Sequence, residues 1–202
     1  EFVSVSSDLP VVFVKVGENE QLVPMAMCGL KPGDNLVVGE DGRWMTAYIP
    51  GIVTTYPLRV IPAGENRDQL ALAIDEESSW VSREEGDALF NADGSHTEYL
   101  EKRQDALSKY YEHNQITGGF VSMMNDLGLI EERNLSVEVG GDQININGLF
   151  VISEDKLNEL PAETFEDLRK RGFLPAIYAQ MISINQIRRL GKFKMDRDGS
   201  AA

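Results

Sequence analysis

One cysteine, two histidines and no long apolar run set the limits of this chain. A lone Cys28 can form no intramolecular disulfide, which points to a reducing compartment, the cytoplasm. It sits in the apolar run Met25-Ala26-Met27-Cys28 with no His or Arg nearby, the setting of a buried structural thiol rather than a nucleophile. His96 and His113 with one cysteine fall short of a usual zinc site, which wants about four N/S ligands at set spacing. No metal is expected. Asn91-Ala92-Asp93-Gly94 and Asp196-Arg197-Asp198-Gly199 are Asp-Gly turns, since the positions a calcium loop of the EF-hand type needs hold Leu89, Leu100 and Lys194.

Other absences are as informative. There is no GxGxxG, no GxxxxGK[ST] and no G-x-S-x-G, so no nucleotide, cofactor or serine-hydrolase motif is present. No stretch approaches the roughly 20 apolar residues of a membrane-spanning helix. The opening Glu1-Phe2-Val3-Ser4 has neither the basic segment nor the apolar core of a secretory leader.

Bases are also in short supply. Nineteen Lys and Arg face 33 Asp and Glu, a net charge of −14. Residues 1–100 hold 17 acids against 6 bases, and residues 101–202 hold 16 against 13. Such a surface repels phosphate backbones, which require clustered Lys and Arg. Nucleic acid is therefore excluded as an expected partner, and a protein or peptide is the expected one.

What is present is ordinary for a globular protein of 202 residues, with 42% hydrophobic and 26% charged residues. The pattern predicts an α+β fold: an N-terminal antiparallel β unit packed against a C-terminal helical portion that carries a short hairpin. Residues 1–96 read as the β-rich part, ending in an acidic loop over 75–96. Residues 97–191 read as the mainly helical part, and 192–202 as a polar tail. Val11–Val16 and Gln21–Met27 form a first hairpin. Leu36–Val38 with Arg43–Met45 form a second, and Pro57–Ile61 with Gln69–Ile74, about Pro62-Ala63-Gly64-Glu65-Asn66, a third. In the acidic loop Ser82-x-x-Glu85 has capping-box spacing and predicts one helical turn. Thr97 caps a long helix that Gly118-Gly119 interrupts and Gly128 ends. Gly140-Gly141-Asp142 joins two strands. The last helix opens at Pro175 and stops at Gly191. Its apolar stripe of Ile177, Tyr178, Met181, Ile182, Ile187 and Leu190 covers the β unit, so a charge at Ile182 would be buried there. The alternative is that the stripe, with Arg188, Arg189, Lys192 and Lys194 at its end, lies on a membrane or in a partner's groove.

Two groups of residues carry candidate chemistry. Arg43 and Trp44, with Tyr48 and Tyr56 close in sequence, supply the rings and the cation of a stacking surface. The alternative is that the three rings belong to the β unit's core. Asp75 and Glu76 stand where a strand opens into a loop, a setting for general acids or cation ligands. With Arg43 and Tyr48 they would serve a modifying or hydrolytic activity on a peptide or small molecule. The alternative there is a solvated acidic turn.

Gly33-Asp34-Asn35-Leu36 with Gly42-Arg43-Trp44, Tyr48-Ile49-Pro50 with Tyr56-Pro57, Ile74-Asp75-Glu76 with Glu85-Gly86, and Leu174-Pro175-Ala176-Ile177-Tyr178-Ala179 resemble the SapC family of bacterial proteins. The resemblance covers roughly Pro10 to Leu190. It implies an association with surface-layer (S-layer) or other envelope-protein secretion. With no nucleophile–base pair or cofactor motif in the chain, a soluble, non-catalytic accessory protein is the expected role. Two positions depart from the family pattern. Thr54-Thr55 stand where many relatives carry a basic pair, and Gln180 where many carry His.

Overall fold

A computed structural model describes residues 1–64 and 69–200, the side chain of Ser200 excepted. The fold is α+β, and the chain divides into two compact units. One is built from Glu1–Pro50 and Gly118–Ala202, the other from Gly51–Thr117.

The first unit is organised on a four-stranded antiparallel sheet. Its strands are β1 (Val11–Val16), β2 (Gln21–Ala26), β5 (Ile130–Val139) and β6 (Asp142–Ile152), in the order β2-β1-β6-β5. The two hairpins expected in separate parts of the chain are thus halves of one sheet. Gly140 and Gly141 link β5 to β6 with φ of +60° and +92°. Two successive positive φ values are what a two-residue hairpin loop of the primed type requires. Pro24 is tolerated in β2 because β2 is an edge strand.

Alternation along β6 sends Leu149 and Val151 to one core and Phe150 and Ile152 to the other. The first core is closed by Leu30, Leu36 and Val37 of the 27–50 loop and by Ile187 and Leu190 of α7 (Ile187–Ser200). The second is closed by Phe120, Val121 and Met124 of α3 (Glu98–Asp126), Leu157 of α4 (Glu154–Asn158), Leu168 of α5 (Ala162–Lys170) and Ile177 of α6 (Leu174–Ser183). A sheet covered on both faces explains why β1 begins with three consecutive buried residues, Val11, Val12 and Phe13.

β1 and β6 pair directly only at Phe13 and Phe150. Two residues further along, the same register sets Val11 opposite Ile152, and here α6 intervenes. The Gln180 side chain accepts the Ile152 N–H at Oε1 (2.9 Å) and donates Nε2–H to the Val11 carbonyl (2.9 Å). Ser183 Oγ accepts the Val11 N–H (2.9 Å) and donates to the Gln180 carbonyl (2.6 Å). Gln180 and Ser183 are fully buried. Two polar side chains one helical turn apart therefore replace ladder bonds that the diverging strands cannot make.

Several elements depart from expectation. Leu36–Val38 and Arg43–Met45 form no strands; their pairing is a single bridge between Val38 and Trp44. The Thr97 cap forms, with its hydroxyl accepting the Leu100 N–H (3.2 Å). At the other end the Leu129 N–H reaches the Met124 carbonyl (2.9 Å) beyond Gly128. Gly118-Gly119 do not break α3, which runs unbroken for 29 residues. Short helices α1 (Phe2–Ser6) and α2 (Gly51–Thr55) were not expected. α1 owes its place to packing, with the Phe2 ring edge-on to Phe120 at 5.3 Å.

The C-terminal stripe also needs correction. Ile177, Ile187 and Leu190 are buried, but Tyr178 and Ile182 are exposed, Ile182 by 61%. The buried face of α6 runs through Ile177, Gln180 and Ser183 instead, so a charge at Ile182 would meet water. Nor does Gly191 stop the helix. After a 3₁₀ turn at Ile184–Gln186, α7 continues through it to Ser200, so most of the polar tail expected over 192–202 is helical. Gly191 is there because α7 crosses β5 closely: a Cβ on it would lie 2.9 Å from Val137 Cγ2. Gly191→Leu is accordingly expected to lower stability by about 1–3 kcal/mol through overpacking. Thermal melting would show it, and Val137→Ala should restore part of the loss.

The second unit holds α2, the hairpin β3 (Leu58–Ala63) and β4 (Gln69–Ile74), the acidic loop, and α3 up to Thr117. The hairpin forms as expected, while Glu65 and Asn66 of its turn lie outside the described residues. The helical turn expected at Ser82 is absent. Ser82 Oγ accepts the N–H groups of Glu84 (3.1 Å) and Glu85 (3.2 Å), but the segment continues as bends. Without an apolar face to bury, a capped turn has nothing to propagate it.

Candidate functional site

Three of the six candidate residues stand on one loop of the first unit, and that loop is tightly built. Its floor is Asp8, a buried carboxylate. Asp8 Oδ2 accepts the Tyr48 N–H (2.9 Å), and Oδ1 pairs with Arg189 of α7 (2.5 Å). Arg197, one helical stretch further on, donates to the carbonyls of Asn35 (2.7 Å) and Val38 (2.8 Å). Within the loop, Trp44 Nε1 donates to Thr46 Oγ1 (2.5 Å) and to the Tyr48 carbonyl (2.9 Å), and the Tyr48 hydroxyl donates to Glu1 Oε1 (2.5 Å). Trp44 and Tyr48 both pack against the first core. The Arg43 guanidinium turns to Asp41 (3.5 Å) in an exposed pair. Beside it lies an open hollow of about 320 Å³ walled by Leu36, Met45 and Phe193 and rimmed by Glu40, Asp41 and Asp196. The loop therefore holds Trp44 and Tyr48 by their polar tips while leaving Arg43 free to the solvent side.

Tyr56, Asp75 and Glu76 belong to the second unit, so Arg43 and Tyr48 share no unit with the two acids. The β3–β4 register sets Leu58 opposite Ile74, which brings the residues flanking the hairpin together. The Tyr56 hydroxyl donates to Asp75 Oδ2 (3.1 Å). Asp75 Oδ1 accepts the Glu77 N–H (3.2 Å), and the Asp75 N–H reaches the Pro57 carbonyl (3.0 Å). Asp75 is thus a turn-forming carboxylate with one oxygen offered to a tyrosine, while Glu76 is exposed. Tyr56 also lines a cleft of about 290 Å³, with Ile52 and Thr55 before it, Leu58, Arg59 and Val60 of β3, and Leu107, Tyr110, Tyr111 and Asn114 of α3. Helical spacing with Leu107 is the one sequence cue to Tyr110 and Tyr111, and nothing near Asn114 marks it.

The rest of the acidic loop is bonded within itself. Ser95 donates from its hydroxyl (2.6 Å) and its N–H (3.0 Å) to Asp93 Oδ1, and these bonds hold the Asp93 carboxyl below its usual range. Burial pushes the Cys28 thiol up, away from the thiolate form that reacts. Among the described residues no group of three His, Cys, Asp or Glu side chains is placed to hold a metal ion, and no helix is long and apolar enough to cross a membrane.

The second unit has an unusual apolar balance. Among its described residues Leu58, Leu100 and Leu107 are the buried hydrophobic side chains. Ile52, Val53, Tyr56, Ile61, Leu70, Trp80, Phe90, Tyr99 and Ile116 are exposed, Trp80 by 80%. Single exposed apolar residues are commonplace, but nine exposed against three buried is the inverse of a self-sufficient core.

The SapC family model matches residues 1–190. No curated protein and no solved structure matches the chain.

Proposed function

This chain belongs to the SapC family, and on that premise we propose that it is a non-catalytic accessory protein. In this reading it works in the cytoplasm and holds a protein or peptide partner during the traffic of S-layer or other envelope proteins. The observation that carries the reading is the apolar balance of residues 51–117. Large side chains turned to solvent there, Trp80 foremost, are the kind that anchor protein–protein contacts when a partner covers them. The engagement of Trp44 and Tyr48 within their own loop supports a supporting role for that segment rather than a reacting one.

The test is genetic and quantitative. Deleting the gene from its native bacterium is expected to reduce surface-layer or envelope protein at the cell surface severalfold, with a matching rise inside the cell. The wild-type gene should restore it. A copy carrying Ile52→Ser and Trp80→Ser, both at exposed positions, should not, although its product accumulates normally. Unchanged surface protein in the deletion strain, or full rescue by the double variant, would sink the proposal.

A further inference from the structure

We propose that the outer edge of β4 is a docking site for an extended, basic–apolar segment of a partner protein, which adds to the β3–β4 hairpin as a third strand. The inference rests on the partner-binding reading above and specifies where and how the partner binds.

The hairpin is a two-stranded sheet in which each strand pairs with the other alone. In an antiparallel ladder, alternate residues exchange hydrogen bonds and the residues between them point their N–H and C=O groups outward. The bond from the Asp75 N–H to the Pro57 carbonyl sets the phase. Arg59 with Ala73, Ile61 with Ala71 and Ala63 with Gln69 are then the bonded pairs, leaving Leu70, Leu72 and Ile74 facing out from β4. Among the described residues these three backbones have no partner beyond the hairpin.

The two edges are not alike. On β3 the outward positions are Leu58, Val60 and Pro62, and proline both removes a donor and obstructs an incoming strand. β4 reads Gln69-Leu70-Ala71-Leu72-Ala73-Ile74, with no proline, lysine or other charge. Natural sheets guard exposed edges with those devices, so an unguarded edge beside a guarded one is a place where pairing is left open. Leu70 is 51% exposed at the start of that edge.

Charge complementarity selects the occupant. Residues 51–117 contain thirteen acids and six bases, and Asp75, Glu76 and Glu77 follow β4 directly. Two copies of this unit would repel one another, whereas a strand alternating apolar residues with lysine or arginine meets the Leu70, Leu72 and Ile74 backbone with opposite charge at its rim.

The probe is a fluorescent seven-residue peptide of alternating lysine and valine, titrated into the full chain by fluorescence anisotropy. Saturable binding is expected, weakened severalfold between 50 and 500 mM salt because the rim charges are solvent-exposed. Three controls decide the mode. Methylating the backbone nitrogens of alternate residues should weaken binding at least tenfold, because it removes the main-chain donors. Replacing lysine with glutamate should abolish it. Leu72→Pro should also weaken it at least tenfold with an unchanged circular dichroism spectrum, since the Leu72 N–H points away from β3. The N-methylated probe needs no variant, so the test stands even if Leu72→Pro fails to fold. Equal binding of the methylated peptide, or no binding of the lysine–valine probe at millimolar concentration, overturns the inference. So does a concentration-dependent dimer that Leu72→Pro abolishes, which would make a second copy the occupant. Failure here with loss of rescue by the Ile52→Ser and Trp80→Ser variant overturns the strand mode alone and leaves the accessory role standing.

Discussion

Gln180→Met is expected to lower the free energy of unfolding by about 2–4 kcal/mol, the cost of leaving the buried Ile152 N–H without a partner and the Val11 carbonyl with only the long contact from Ser183 Oγ (3.5 Å). Methionine matches glutamine in length and is welcome in a core, so the loss isolates the amide. Without it the Ile152 N–H and the Val11 carbonyl face each other across a gap that the strands do not close at that point. Urea unfolding would measure it. Gln180→His is the informative companion. A neutral imidazole offers one acceptor and one donor, as the amide does, so it should retain most of the stability near pH 8. Below about pH 6.5, the ordinary histidine pKa, both ring nitrogens become donors and neither can accept the Ile152 N–H. The variant should therefore weaken as the pH falls through that range while the parent does not. A Gln180→Met protein as stable as the parent would show that the bridge contributes nothing.

Asp8→Ala should cost about 2–3 kcal/mol, because it leaves the Tyr48 N–H without its acceptor and the Arg189 guanidinium, about a third exposed, without its carboxylate. Part of that cost is the unpaired charge. Adding Arg189→Met to Asp8→Ala should accordingly recover part of it, which a simple loss of packing would not allow. The damage should reach the 27–50 loop. In a Trp80→Phe background, Trp44 is the sole indole. Its emission should shift to the red in Asp8→Ala under conditions where the sheet is still folded. An unchanged Trp44 spectrum together with an unchanged unfolding midpoint would refute the tie between Asp8 and the loop.

How far such features could be read in advance depends on how local their causes are. The turn at Gly140-Gly141, the Thr97 cap and the stop at Gly128 were legible because each depends on a few adjacent residues. The joining of β1 to β6 was not, since nothing near Val11 announces Ile152. Gly191 misled because glycine marks both helix ends and close approaches, and only the crossing of β5 separates the two. The stripe on α6 misled for a related reason: Ile177 and Ile182 lie about 140° apart around the helix, and apolar character alone does not say which edge of so wide a stripe meets the core. A lone Gln and Ser at positions 180 and 183 of an apolar helix were the available signal for the bridge. Of the candidate site, the nearness of Tyr56 to Asp75 followed from the hairpin that the sequence predicts between them. The Arg43, Trp44 and Tyr48 group followed from adjacency alone, and the loop's internal bonding could not be foreseen.

The sheet has a consequence for the protein's birth. Its first hairpin, β1–β2, is complete once Ala26 has been made, but the strand that covers β1 ends at Ile152. At about 5–20 residues per second the ribosome needs on the order of ten seconds to supply it. Throughout that interval the edge of β1 that faces β6 has no native neighbour, although β2 pairs with the other edge and Leu30, Leu36 and Val37 are already made. The residues made meanwhile include the whole of the second unit. The nascent chain thus spends much of its synthesis with one strand edge open to pairing with other chains, a state in which a chaperone's hold would matter.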